Sequence, residues 1–326
     1  MNVYGWVRKT GGVSWYRVQE PLRGLALSGH TTSYGPDLNF GRISEYDVIV
    51  MSVHGETEAS AGWETMARLP QRPFMVYDID DDVWNFREGL HQYTYWQDED
   101  LLRNVQSGIA CADLVITPSP VLAERISILN PNVHVYGNYV PERLIQTLRH
   151  EPAEFVVGYQ GGDTHKYDIA VAGPEMFRFL IKNRDVKMRI WGASSYDGIC
   201  ADRVDLIPWE RNVNTYYRSL HMSVGLAPLE YTAFNEAKSA IKAVEYAAFG
   251  IPAIVSDCTP YRGTVLDGVT GLVVDKGGWY DALTLLKTDP LTRAYMGQNA
   301  WKHALSWTTE SNAERYAEIL REGIHG

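Results

Sequence analysis

The feature that most constrains the fold is the repeated alternation of short, β-branched apolar runs with helix-like segments. Such alternation is expected of α/β layers built on parallel strands. A first series predicts strands at 3–7, 47–53, 74–78, 114–117 and 133–136, with helices at 15–27, 56–69, 98–111 and 120–129. A second series predicts strands at 155–159, 187–191, 204–207, 223–227, 253–256 and 272–274, with helices at 168–182, 238–249 and 280–287 and a helical tail after Pro290.

A polar stretch that carries Pro152 separates the two series. The 326 residues are enough for two domains of about 100 to 200 residues each. We therefore expect one α/β domain at 1–150, a second at 151–305, and a C-terminal helix within 306–326 that packs back on the first domain. Doubly wound sheets bind ligands at the carboxyl ends of their strands, so functional residues are expected in the loops that follow the strands.

The charge balance does not favour a nucleic-acid or anionic-membrane partner. Lys plus Arg number 30 against 40 Asp plus Glu, which gives a formal net charge of -10. The three cysteines, Cys111, Cys200 and Cys258, support neither a disulfide framework nor a zinc site. No signal-peptide pattern opens the sequence, and no apolar run approaches the roughly 20 residues of a membrane helix. We expect a cytoplasmic protein.

The most specific segment covers 234–256. If a helix covers 238–249, then Lys238, Lys242 and Glu245 share one charged face. Lys238 and the free N–H groups of the first helical turn could hold a phosphate, and Glu245 could accept hydrogen bonds from two ribose hydroxyls. This arrangement suits a nucleoside diphosphate. The alternative is a surface helix on which Lys242 and Glu245 form an exposed ion pair.

A glycine-containing loop follows the first strand of the second series. Gly161 and Gly162 come directly after that strand, where backbone N–H groups without neighbouring side chains can approach an anion. His165 and Lys166 follow, and both offer donors to a diphosphate. A plain turn is the alternative for the glycines, and a solvated position at a helix start is the alternative for Lys166.

The segment at 234–256 resembles the C-terminal half of the retaining GT-B glycosyltransferases whose signature is Glu-x7-Glu, the large family 4-like group. Stretches 11–17, 112–119 and 159–168 also resemble that family's opening loop, a late strand of its first domain and the glycine-containing loop of its donor domain. The resemblance implies a GT-B architecture, with two facing Rossmann-like domains that carry parallel sheets. It makes the first domain the acceptor domain and the second the nucleotide-sugar domain.

Carried over by position, the resemblance implies the nucleotide contacts. Glu245 matches the second glutamate of the signature, which in the family holds the ribose. Lys238 with Ser239 matches the segment that meets the diphosphate and the donor sugar. Ile207 and Trp209 end a predicted strand at a position that borders the base through backbone contacts in the family. Plain packing of Trp209 is the alternative.

One position departs from the signature. The first glutamate would fall on Ala237, and Glu236 is one residue early, which turns it by about 100° on an ideal helix. The sugar contact is therefore open between Glu236, Asn235 and a different mode of recognition.

An acidic run, Asp78-Ile-Asp-Asp-Asp82, follows a strand of the first series. Metal-dependent GT-A glycosyltransferases use an Asp-x-Asp motif to bind a divalent cation and the donor diphosphate. Because this run is far in sequence from the nucleotide-like segment, we instead expect Asp80, Asp81 or Asp82 to face an acceptor. A solvated acidic loop that caps Trp84 or a nearby helix is the alternative.

The acceptor is expected at the end of the first strand and near the acidic run. Gly11 and Gly12 would permit close approach there, and Trp84 or Trp96 could stack on a ring, although aromatic residues more often pack in a core. A saccharide, peptide or small molecule is favoured over nucleic acid as the acceptor. A flipped DNA base stays open.

The resemblance therefore implies sugar transfer from a nucleoside-diphosphate sugar to an acceptor hydroxyl, with retention. No metal and no cofactor are expected, because a lysine, a helix terminus and a histidine would supply the counter-charges of the diphosphate. Lys238 and His165 would be the catalytic residues, because they stabilise the charge on the departing diphosphate. A nucleotide-sugar epimerase on the same fold is one alternative. A catalytically silent nucleotide-sugar-binding module is another, and Ala237 favours it. No motif of a serine hydrolase, a P-loop kinase or a zinc protease occurs.

Overall fold

The protein divides into two units, each with its own parallel sheet. The computed structural model describes residues 1–8, 11–52, 55–145, 152–161, 165–193 and 200–325. Unit 1 contains Met1–Pro141, Glu236–Ser239 and Thr308–Gly326, and unit 2 contains Glu142–Asn235 and Ala240–Trp307. The chain thus leaves unit 1 earlier than the expected boundary at 150. It also returns to unit 1 for the four residues from 236 to 239, which were expected in the second domain.

Unit 1 is built on a six-stranded parallel sheet whose strands follow the order β2-β1-β3-β4-β5-β6. Its central strand β3 is buried at every position, as expected for a parallel strand covered on both faces. The strands are β1 Asn2–Trp6, β2 Thr31–Gly35, β3 Val48–Ser52, β4 Phe74–Asp78, β5 Leu114–Thr117 and β6 Val133–Val135. The sequence predicted all of these except β2, a polar and largely exposed edge strand without apolar alternation.

The helices of unit 1 lie between these strands and at the C-terminus. They are α1 Gly12–Ser14, α2 Glu20–Leu27, α3 Thr57–Ala67, α4 His91–Tyr95, α5 Glu99–Cys111, α6 Pro120–Ile126 and, at the end of the chain, α14 Thr309–His325. A π-helical stretch, Trp15–Gln19, joins α1 to α2. The C-terminal helix α14 packs on α2, where a Cβ at Gly24 would lie 3.2 Å from the Cβ of Ala313. Glycine therefore allows this close approach.

Unit 2 is built on a second six-stranded parallel sheet, in the order β12-β11-β10-β7-β8-β9. The strands are β7 Phe155–Gln160, β8 Val186–Trp191, β9 Val204–Ile207, β10 Val224–Ala227, β11 Ala253–Ser256 and β12 Gly271–Val274. The helices are α7 Glu142–Ile145, α8 Lys166–Lys182, α9 Val213–Ser219, α10 Ala233–Glu236, whose last residue belongs to unit 1, α11 Ile241–Ala248, α12 Trp279–Thr288 and α13 Pro290–Ala304. The strand order reverses between β7 and β10, and ligands of such sheets bind at that switch point.

A single tyrosine fixes helix α11 against the switch point of unit 2. Gly225 on β10 leaves room for the ring of Tyr246, since a Cβ there would lie 2.5 Å from the ring. The Tyr246 hydroxyl donates to the Leu226 carbonyl at 3.0 Å and accepts from the Gln160 N–H at 3.2 Å. Helix α11 is therefore held across both strands of the switch point. In the part of the chain that the structure describes, no helix is long and apolar enough to cross a membrane.

Candidate functional site

A buried carboxylate lies at the switch point of unit 2. Glu245 on α11 is 5% exposed. Its Oε2 accepts hydrogen bonds from the side-chain amide of Gln160, the last residue of β7, and from the Tyr216 hydroxyl at 3.2 Å. The same Tyr216 hydroxyl also contacts Gln160 Oε1. Burial, with the nearby charge of Glu245, raises the pKa of Tyr216 well above its ordinary value, so this hydroxyl stays a donor.

These contacts contradict the surface ion pair that was the alternative for this helix. Glu245 is buried, whereas Lys242 Nζ lies 5.1 Å from the centroid of the Tyr159 ring. Sequence reasoning missed Gln160 and Tyr216, which hold the Glu245 carboxylate. No local signal could have found Tyr216, because it lies 29 residues before Glu245.

The helix that carries Glu245 begins later than predicted. Helix α11 starts at Ile241, so Lys238 and Ser239 precede it and do not share its charged face. The predicted start of this helix at residue 238 is therefore wrong, and Lys238 as a diphosphate contact outside the helix stays a prediction. In unit 1, Ser119 Oγ donates to the Ala237 carbonyl at 2.5 Å, and Asn138 Nδ2 donates to Ser239 Oγ at 2.9 Å.

Ala237 explains why the segment around it follows unit 1. It is 1% exposed and belongs to the apolar core of that unit, in the same cluster as Ile79, Val83 and Leu122. A glutamate at this position would place an ionised group in an apolar environment, which is costly without a partner. The departure from the signature thus has a packing reason. Glu236, the next residue toward the N-terminus, is half-buried and belongs to the same unit.

A histidine and a buried aspartate form a pair at the start of α8 in unit 2. His165 Nδ1 lies 2.8 Å from Asp168 Oδ2. Asp168 Oδ1 accepts from Asn235 Nδ2 at 2.7 Å and from the Glu230 N–H at 3.1 Å. Asn235 Nδ2 also donates to the Glu230 carbonyl at 2.9 Å, so this expected sugar ligand uses its amide group on Asp168 and on the Glu230 carbonyl. Sequence reasoning did not single out Asp168, although its i,i+3 spacing from His165 is a signal that was present.

The other loop residues of unit 2 have different surroundings. The Gly161 N–H donates to the Trp191 carbonyl at 3.0 Å, and a Cβ there would lie 2.8 Å from the Tyr159 hydroxyl. The expectation that this N–H serves an anion is therefore wrong, because the sheet uses it and Tyr159 explains the glycine. Gly162 lies outside the described residues. Lys166 is exposed, with Nζ 4.9 Å from the Tyr167 ring centroid. This exposure agrees with the alternative of a solvated position at a helix start.

The end of β9 presents an aromatic side chain. The Ile207 carbonyl accepts from the Gly192 N–H at 2.9 Å, which continues the β8–β9 pairing. Trp209 follows and is 67% exposed. This exposure contradicts plain packing as the explanation for Trp209.

The acidic run of unit 1 divides among separate partners. Asp78 forms a two-pronged ion pair with Arg17, at 2.9 Å to Nε and 2.8 Å to Nη2, and both side chains are buried. Burial raises the pKa of Asp78 to about 6, against the opposing effect of Arg17. Arg17 Nη1 also donates to the Tyr136 carbonyl at 2.6 Å and to Asn138 Oδ1 at 2.8 Å. The Asp78 carboxylate therefore holds the fold of unit 1.

Asp82 is also held by protein groups. Its carboxylate is buried, pairs with Arg125 and accepts from Asn85 Nδ2 at 2.9 Å and from the Trp84 N–H at 3.3 Å. The expectation that it faces an acceptor is thus not supported, and a loop-capping role replaces it.

Asp80 and Asp81 remain as the candidates in the run. Asp80 Oδ1 accepts from Asn138 Nδ2 at 3.2 Å. Burial, with the charges of Asp80 and Asp82, raises the pKa of Asp81 to about 7, while the charge of Lys238 lowers it. Among the described residues, no group of three or more His, Cys, Asp or Glu side chains has the arrangement of a metal site.

The remaining acceptor-side residues are only partly explained by packing. Gly11 has extended backbone with φ 170°, and a Cβ at Gly11 or Gly12 would meet no atom within 4 Å. Neither glycine is therefore required by contacts in the described structure. Trp84 is half-buried against the core of unit 1, and its buried Nε1 has no hydrogen-bond partner within the described residues. Trp96 packs against the same core.

Comparison with known proteins gives a family match in the second half of the chain. A family model described as "Glycosyl transferases group 1" matches residues 201–303. A D-inositol 3-phosphate glycosyltransferase from Corynebacterium glutamicum is 33% identical over 95 residues. This match covers 28% of the chain, and the chain spans only 22% of the length of that relative.

Solved structures match over nearly the whole chain. Sucrose-phosphate synthase from Thermosynechococcus elongatus aligns with a TM-score of 0.69 and 15% identity, over 99% of both chains. Anabaena HepE in complex with UDP-glucose aligns with a TM-score of 0.68 and 14% identity, over 99% of this chain and 100% of that one. The likeness confirms the predicted fold class, the two-domain α/β architecture of GT-B proteins with a parallel sheet in each domain.

Proposed function

We propose that this protein is a glycosyltransferase that moves a sugar from a nucleoside-diphosphate sugar to an acceptor hydroxyl. The observation that carries the proposal is the buried Glu245 carboxylate at the switch point of unit 2, inside the region that matches the glycosyltransferase family model. A carboxylate accepts hydrogen bonds from two adjacent hydroxyls, the feature that a ribose offers.

Unit 2 supplies most of the donor contacts in this proposal, and residues 236–239, which belong to unit 1, supply the others. Glu245 accepts from the ribose while Gln160 and Tyr216 keep its carboxylate oriented. Ile207 and Trp209 border the base, and His165 faces the diphosphate. Lys238 is the proposed counter-charge for the departing diphosphate, with Ser239 and Glu236 as further donor contacts. HepE, an architectural relative, was solved in complex with UDP-glucose.

The chemistry is a substitution at the anomeric carbon. The bond from that carbon to the diphosphate oxygen breaks, and the diphosphate takes the electron pair. The acceptor oxygen forms the new bond, and its proton passes to the Asp81 carboxylate that is proposed to accept its hydrogen bond. Because negative charge grows on the diphosphate, fixed cationic donors lower the barrier. We propose retention at the anomeric carbon and no metal requirement, on the strength of the family resemblance and of the protein partners that hold Asp78 and Asp82.

Unit 1 supplies the acceptor contacts in this proposal. Asp81 is the carboxylate that takes the hydrogen bond of the acceptor hydroxyl, since Asp78 and Asp82 are held by arginines. Trp84 and the open space beside Gly11 and Gly12 accommodate the acceptor. The acceptor class is a saccharide, peptide or small molecule.

The test is incubation with a panel of radiolabelled UDP-, GDP-, ADP- and dTDP-sugars. Slow hydrolysis of one donor, lost in Glu245→Ala, supports a transferase, since water replaces the absent acceptor. An isomeric sugar nucleotide as the product would support an epimerase instead. Binding without turnover would support a silent binding module, the reading that the buried Ala237 favours. No binding of any nucleotide would overturn the proposal.

A further inference from the structure

We propose that Asp168 is a positioning residue that keeps His165 protonated, so that the imidazolium Nε2–H is presented to the diphosphate of the donor. This inference rests on the proposed function and assigns a role to a residue that the family resemblance does not supply. Its starting point is the 2.8 Å contact between His165 Nδ1 and Asp168 Oδ2.

The pair has one buried member and one accessible member. The Asp168 side chain is 6% exposed and the His165 side chain 24% exposed. Because Nδ1 faces Asp168, the other ring nitrogen, Nε2, faces away from it. A neutral imidazole with its proton on Nδ1 offers a lone pair at Nε2, which repels a phosphate oxygen, whereas the imidazolium offers a donor there. The neighbouring carboxylate favours the imidazolium, since opposite charges stabilise each other.

The aspartate itself is fixed by two donors from the segment after β10, one in the loop and one in helix α10. Asn235 Nδ2 and the Glu230 N–H both bind Oδ1, at 2.7 and 3.1 Å, and Oδ2 is directed to the histidine. These bonds join the start of α8, after β7, to the segment after β10. The pair therefore lies at the switch point of unit 2, where Gln160 also meets Glu245.

Tyrosines and lysines of the described residues lie around the pair. The Tyr159 hydroxyl donates to the His165 carbonyl at 3.2 Å. Burial, with the charge of Asp168 among the further causes, raises the pKa of Tyr159 and of Tyr261 well above the ordinary tyrosine value, so both remain neutral. Lys166 lies over the Tyr167 ring, Lys242 over the Tyr159 ring, and Cys258 is near Tyr261. Glu230 takes part through its backbone.

The experiment measures binding of UDP, GDP, ADP and dTDP, each against its nucleoside, by calorimetry between about pH 5 and 8, where histidine titrates. Asp168→Asn should weaken binding of the preferred nucleoside diphosphate about tenfold or more at neutral pH, because one hydrogen bond between charged groups is lost. The nucleoside should bind equally to both proteins. Diphosphate affinity should also fall off at lower pH in the variant than in the parent, because the imidazole loses its proton sooner.

Three comparisons separate positioning from structure. In a His165→Ala background, Asp168→Asn should have no further effect on diphosphate affinity. Asp168→Glu should restore part of the affinity and of the pH profile, since it restores the charge. Asp185→Asn removes an exposed carboxylate that pairs with Lys287 in the same unit and should change nothing. Circular dichroism melts show whether each variant is folded.

Two kinds of result overturn the inference while leaving the proposed function intact. One is equal diphosphate affinity and pH dependence in the parent and in Asp168→Asn. The other is an equal loss of nucleoside and diphosphate binding, or an undiminished effect in the His165→Ala background, either of which makes Asp168 purely structural. If the parent protein binds none of the four nucleoside diphosphates, the inference and the proposed function fail together.

Discussion

Tyr216 donates a 3.2 Å hydrogen bond to the carboxylate of Glu245, a buried residue 29 positions later in the chain. Gln160 donates to the same oxygen from the end of β7. The carboxylate is therefore oriented before any ligand binds. Ligand binding then loses less side-chain conformational entropy than it would with a mobile carboxylate. Substitution of Glu245 is therefore the most direct test of nucleotide binding.

Glu245→Ala should weaken nucleoside diphosphate binding at least tenfold, since a hydrogen bond to a charged group contributes about 1.5 to 3 kcal/mol. Tyr216→Phe removes one supporting donor and keeps the carboxylate, so its effect should be several-fold smaller. Calorimetry on both variants, with thermal melts as the folding control, tests the ranking. Unchanged affinity in Glu245→Ala contradicts the ribose assignment.

Lys238→Ala should weaken binding of a nucleoside diphosphate much more than binding of the bare nucleoside, because the lysine charge is proposed to contact the phosphate groups. Lys242→Ala is the matched control, since its ammonium lies over the Tyr159 ring. The measurement is the ratio of the two affinities in each variant. A similar ratio in Lys238→Ala and in the parent removes Lys238 from the diphosphate contacts.

Asp81 should make the protein less stable as pH rises. Its pKa in the folded state is raised to about 7, mainly by burial, whereas the unfolded chain ionises this carboxyl near about pH 4. The folded state therefore holds the extra proton between these values, and the free energy of unfolding falls through that window at about 1.4 kcal/mol per unit. In urea denaturation, Asp81→Asn should show a smaller fall than the parent. Parallel curves would refute this origin.

The Arg17–Asp78 pair should be required for the stability of unit 1. Arg17→Ala leaves a buried carboxylate without its ion-pair partner, and such losses cost about 3 to 5 kcal/mol. The exposed pair of Arg42 and Glu45 is the control, since Arg42→Ala should destabilise the protein far less than Arg17→Ala does. Denaturant melts of both variants measure the contrast. Equal effects would show that the buried pair contributes little.

Sugar transfer should survive chelation. Arg17 and Arg125 hold two carboxylates of the acidic run, and Asn138 binds a third, so three of its four carboxylates already have protein partners. The measurement is product formation with and without EDTA. If EDTA abolishes transfer and Mg²⁺ or Mn²⁺ restores it, the aspartates are metal ligands and the proposed metal independence is wrong.

Asp81→Asn should abolish transfer to the acceptor while donor binding persists. Trp84→Ala should act in the same direction through loss of a stacking ring, and Trp84→Phe should retain more activity because it keeps an aromatic face. Asp82→Asn is the structural control, expected to lower the melting temperature through loss of its pair with Arg125. Loss of nucleotide binding in Asp81→Asn, with transfer intact at saturating donor, would move this strip to the donor side.

Most of the fold follows from local patterns, and the exceptions have physical causes. The buried strands of both sheets were predicted because continuous apolar runs identify them, and the exposed edge strand β2 was missed because it lacks such a run. The predicted start of α11 was too early, because alanine at position 237 favours a helix in isolation. In the structure Ala237 instead packs in the apolar core of unit 1.

The sequence by itself determined the layers, the parallel sheets and the type of each candidate side chain, because the periodicity of apolar residues and the spacing of motifs are local properties. Only the tertiary structure decided which aspartate pairs with which arginine, since Arg17 and Asp78 are 61 residues apart in the chain. It also decided that Asp168 holds His165 and that Tyr216 holds Glu245. Burial and hydrogen bonding between distant segments set these roles, and a linear pattern does not encode the distances on which they depend.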